Sequence, residues 1–146
     1  MTTTELAFEY LENMALSRQF PSDVALERED YEDLLEQRDS DAFSSIWTKT
    51  YHAIKHQIKQ VGLTAAEADR VKKIREAVFK RVYAKTQESD LASYISDDIG
   101  LLADALLVHY QDHWLNGLWN AYQANKIPSG DLIPIPGNLA GLILAG

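Results

Sequence analysis

A chain of 146 residues, 46% hydrophobic and 25% charged, is long enough to close one core and too apolar to be disordered. Having no cysteine, it excludes disulfides, thiolate metal sites, iron–sulfur clusters and cysteine nucleophiles, and no apolar run approaches the roughly 20 residues of a membrane span. Its net charge of −8 is laid out in blocks: residues 1–41 carry −9, 42–87 carry +7 and 88–146 carry −6, so the basic middle can neutralise its flanks when the elements pack side by side.

The fold expected from these residues is all-α: a single-domain bundle of about five helices over 1–126, followed by an extended tail over 127–146. A first helix is predicted over Thr2–Arg18, opened by the capping-box pair Thr2 and Glu5, with Leu6, Ala7, Tyr10, Leu11 and Met14 as its apolar face. Phe20-Pro21 interrupts it, because the residue before a proline is pushed out of the helical region. A second helix is predicted from Ser22 or Asp23 to Arg38, narrow in its apolar stripe (Val24, Tyr31, Leu34, Leu35) and otherwise densely acidic.

Ser40 or Asp41 opens a third helix, in which Phe43, Ile46, Trp47, Ile54, Ile58 and Val61 recur at helical spacing up to a stop at Gly62. Thr64 and Glu67 form a second capping box, opening a fourth helix that buries Ala68, Val71, Ile74, Val78, Phe79 and Val82 and frays between Lys85 and Ser89. Beyond a short turn at Asp90–Ile95, large apolar residues lie on nearly every side of the wheel. That pattern predicts one long buried helix from about Ser96 to Asn125, bent at Gly100 or Gly117. Prolines and glycines keep the start of the tail extended, and Asn138 caps a last apolar turn over Leu139–Ala145. Leu142, Ile143 and Leu144 need a groove, either on their own bundle or on a partner subunit, the second option making a homodimer.

Two histidine pairs stand four residues apart. His52 and His56 sit among Lys49, Lys55 and Lys59 and read as a solvated basic face. His109, Asp112, His113, Asn116 and Asn120 form a polar stripe on the predicted long helix. That stripe reads either as lying at the bundle surface or hydrogen bonding to a neighbouring helix, or as half of a metal or small-ligand site, with the histidines as ligands or acid/base groups and Asp112 orienting them. No cofactor is otherwise expected, and a divalent metal at this stripe is the alternative. The basic stripe Arg70, Lys73, Lys80 and Arg81 lacks interleaved aromatics in an acidic protein, which argues against nucleic acid.

No phosphate-loop, dinucleotide, zinc-protease or nucleophile-elbow motif occurs. The leading expectation is therefore a non-enzymatic interaction or regulatory module that captures another protein, a basic one, through Glu29, Asp30, Glu32, Asp33 and Glu36. A blander reading has the acidic segment merely covering the basic third and fourth helices. With no basic region followed by an apolar run at the start of the chain, the cytoplasm is the expected location.

Overall fold

A computed structural model describes residues 1–146 as eight helices with no strand: α1 (Thr3–Leu16), α2 (Asp23–Leu26), α3 (Tyr31–Asp39), α4 (Asp41–Val61), α5 (Ala65–Thr86), α6 (Ser89–Leu107), α7 (His113–Gln123) and α8 (Leu139–Ala145). They form the all-α bundle expected from the periodicity. No helix is long and apolar enough to cross a membrane.

Local chemistry sets most of the boundaries. Both capping boxes form: the Thr2 and Thr64 hydroxyls accept from the Glu5 and Glu67 amides, and each glutamate returns to its threonine's own N–H, so two free donors are satisfied at each helix start. α4 stops at Gly62, whose φ of 84° is costly for any residue with a Cβ.

Two expected helices are each broken in two. The acidic helix divides into α2 and α3, with the chain unwound between Leu26 and Tyr31 and the Tyr31 hydroxyl donating to the Leu26 carbonyl. The long helix divides into α6 and α7 at residues 108–112, while the short turn expected at Asp90–Ile95 is the first part of α6. His109 takes a left-handed φ of 58°. Its N–H bonds to Leu106 O and that of Tyr110 to Ala105 O, the paired bonds of a left-handed helix stop. Asp112 then restarts the helix by accepting from the Trp114 N–H at 3.1 Å. Arg18 and Asn125 end α1 and α7 in the same left-handed manner.

α6 is the centre of the bundle. It packs most extensively on α5 and also meets α1, α3, α4 and α7, and the residues buried along it, from Leu91 to Leu106, surround its axis. α1 is clasped between α5, α6 and α8, so Phe8 and Ala15 join Ala7 and Leu11 in the core while Leu6 and Tyr10 face out, a rotation from the expected face. The tail folds back on its own chain: α8 lies mainly on α1 and buries Leu139, Ala140 and Ile143.

The two glycines of the central segment do not bend a helix; they admit neighbours. At Gly100 an added Cβ would meet only the flexible Arg75 side chain (Cδ at 2.7 Å), whereas at Gly117 it would meet the Ile133 carbonyl oxygen of the tail at 2.5 Å. Gly117→Ala is therefore expected to cost about 1–3 kcal/mol by pushing backbone apart. Gly100→Ala should stay within about 1 kcal/mol of wild type, because Arg75 can move and alanine favours a helix. Urea denaturation of both variants checks the contrast.

Candidate functional site

α3 and the loop leading into it carry the acidic surface. Glu29, Asp30, Glu32, Asp33 and Glu36 are all exposed, and Glu27 extends the patch. The arginines of this stretch do not neutralise it. Arg28 is taken by Asp30 through two bonds of 2.7 and 2.6 Å, and Arg38 turns inward. Glu29, Glu32, Asp33 and Glu36 enter no ion pair. The basic helices draw their counter-charges from elsewhere: Glu12 for Arg70, Asp23 for Arg81 and Lys85, Asp97 for Arg75, and Asp104 for Lys55. Of the acidic segment only Asp23 covers the basic core of the sequence, and Glu29, Glu32, Asp33 and Glu36 face solvent unspent.

What holds α3 in place is a buried polar cluster that sequence reasoning did not find. Asp98 of α6 has no exposed surface, and each of its oxygens accepts two bonds. Oδ1 takes Arg38 Nη2 and Trp47 Nε1, both at 2.9 Å; Oδ2 takes Arg38 Nη1 at 2.7 Å and the Tyr122 hydroxyl at 2.6 Å. Arg38 also donates to the Pro128 carbonyl at 3.1 Å and lies 4.4 Å from the centre of the Phe43 ring. One carboxylate thus ties α3, α4 and α7 to α6, and its arginine reaches the start of the tail.

The electrostatics fit that arrangement. Burial opposes the charge on Arg38, but the Asp98 carboxylate outweighs it and holds the guanidinium above its ordinary value. Burial, and then the charge of Asp98, push the Tyr122 phenol well above its usual range, so it stays protonated and donates. Next to the cluster, the Tyr94 hydroxyl donates to Asp39, a bond that raises the tyrosine's pKa.

The histidine stripe is not a stripe. Because α6 ends at Leu107, His109 sits in the connection and His113 opens α7, so the two imidazoles do not share a helix face as their spacing implied. Asp112 is spent as the α7 cap and also accepts from the Thr50 hydroxyl of α4 at 3.4 Å. Asn116 is fully buried and clamps the tail, donating to the carbonyls of Ile135 and Gly137 at 2.9 and 2.8 Å, while Asn120 is exposed. No three His, Asp or Glu side chains are gathered in a way that could hold a metal ion. His52 and His56 are exposed on α4.

No curated protein matches the chain. A family model described as immunity protein PIM1 matches residues 10–129. That span takes in the acidic face of α3 and every residue of the Asp98 cluster, from Arg38 to Pro128. With most of its length matched, the chain belongs to the immunity protein PIM1 family.

Proposed function

We propose that this immunity protein acts by binding a toxin directly, without chemistry of its own, and that it offers the carboxylates of α3 to a basic surface on that toxin. An immunity role is exercised through interaction with another protein, and the observation that carries the finer reading is the set of unpaired, exposed carboxylates at Glu29, Glu32, Asp33 and Glu36. Carboxylates massed on one face speed and orient encounter with a cationic partner, and the effect weakens as salt rises. Asp30 contributes less, because Arg28 already holds both of its oxygens.

The test is a variant carrying Glu29→Gln, Glu32→Gln, Asp33→Asn and Glu36→Gln, compared with wild type in affinity purification from the native host. Wild type should retain a basic protein that the variant loses at least tenfold, and raised salt should release it from wild type. The thermal midpoint should move by no more than about 2 °C, since exposed substitutions away from packing change stability little. Equal retention by the two proteins would refute the assignment.

A further inference from the structure

Beside the acidic face, between the C-terminal end of α3, the start of α4 and α6, lies a cleft whose rim includes Asp39, Ser44, Thr48 and Asp97 and whose walls are Trp47 and Tyr94. Its floor is Arg38 on the Phe43 ring, a cation already neutralised by Asp98. Trp47 turns its N–H inward to Asp98, leaving the rest of its half-buried ring to the cleft. At the rim, one oxygen of Asp39 accepts from Tyr94 and one oxygen of Asp97 from Arg75; the second oxygen of each accepts nothing from the chain.

The other side of Trp47 shows what such a groove holds. There Trp47, Tyr51, Asp97 and Asp104 border a second cleft, and cations of the chain itself occupy it: Arg75 bonds to Asp97 at 2.7 Å, and Lys55 stands 5.4 Å from the Tyr51 ring centre and 3.8 Å from Asp104. In the first cleft the chain's own cation is Arg38 at the floor, 5.2 Å from the Tyr94 ring centre, and none lies over the Trp47 ring. Aromatic faces flanked by carboxylate oxygens suit a planar guanidinium, which stacks and donates paired hydrogen bonds at once.

We propose that this cleft receives one arginine side chain of the toxin, its guanidinium against Trp47 and bonded to the open oxygens of Asp39 and Asp97. The identity of the partner rests on the reading of α3 given above, but the cleft itself is tested separately. The probe is acetyl-Gly-Arg-Gly-amide, with the isosteric citrulline peptide as control, titrated while the assigned indole N–H resonance of Trp47 is followed by NMR.

Wild type and the fourfold α3 variant should both show a saturable shift with the arginine peptide and none with citrulline. Thr48→Arg, at an exposed position, should supply the cleft with its own cation and abolish the response. Asp97→Asn should weaken it roughly threefold or more through loss of one ion pair. No saturable shift in wild type, or an equal shift from citrulline, overturns the assignment. If the arginine response holds while the α3 variant still retains the host protein, the α3 reading falls and the cleft stands.

Discussion

Asp98→Ala is expected to cost about 3–5 kcal/mol, because it strands the Arg38 charge in the interior without its partner. The Trp47 indole N–H and the Tyr122 hydroxyl lose their acceptor at the same time, and each buried donor left unpaired adds its own desolvation penalty. A thermal midpoint lower by on the order of 10 °C would be seen by circular dichroism. Arg38→Met alone should also destabilise, since it leaves the carboxylate buried. Arg38→Met combined with Asp98→Ala should cost clearly less than the sum of the two, because residues in one network are not additive. A single-mutant loss under about 1 kcal/mol would show that the cluster does not hold the bundle together.

The same experiment bears on binding. Arg38 sits in the last turn of α3, one turn beyond the buried Leu34, and with that leucine it anchors a helix whose other positions are mostly exposed. The acidic face is therefore fixed to the bundle chiefly by one leucine and one ion pair. Released from Asp98, α3 would keep its charges and lose their placement.

The helical class, both capping boxes, the stop at Gly62 and the buried stripe of α5 at Val71, Ile74, Val78 and Val82 were all legible, because each depends on residues within a turn or two of one another. The break between α6 and α7 was not. A left-handed stop is usually marked by glycine, and here His109 takes it, so the apolar pattern runs on past the point where the backbone turns. The metal reading of His109 and His113 came from that unbroken helix. The acidic candidates of α3 could be named from composition, but which of them are spent could not, since the pairing of Asp30 is set by the loop conformation. The Asp98 cluster joins residues sixty positions apart. Its trace in the sequence is a carboxylate among Ile95, Ile99 and Leu102, where burial demands a cation, and an arginine four residues after Leu34 on the apolar side of an acidic helix.

Ile143→Ala should cost about 2–4 kcal/mol, although it lies in the last few residues of the chain. A helix as short as α8 does not hold by itself in water; it exists because Leu139, Ala140 and Ile143 bury against the bundle, chiefly on α1. Polar contacts place it for that docking. Asn116 grips the Ile135 and Gly137 carbonyls, Gln111 accepts from the Leu139 N–H at 3.3 Å, and Asn138 caps the first turn. Ile143 itself has no exposed surface, so its truncation leaves a cavity between two helices. Ile133→Ala provides the comparison: that residue, in the same tail, is 78% exposed and its loss should fall within about 0.5 kcal/mol of wild type. Urea denaturation measures both. Hydrogen exchange adds the local readout, since Ile143→Ala should lose amide protection in α8 and in the face of α1 around Ala7 and Leu11 before α5 and α6 are affected. Equal stabilities for the two variants would mean that the tail rests on the surface instead of completing the core.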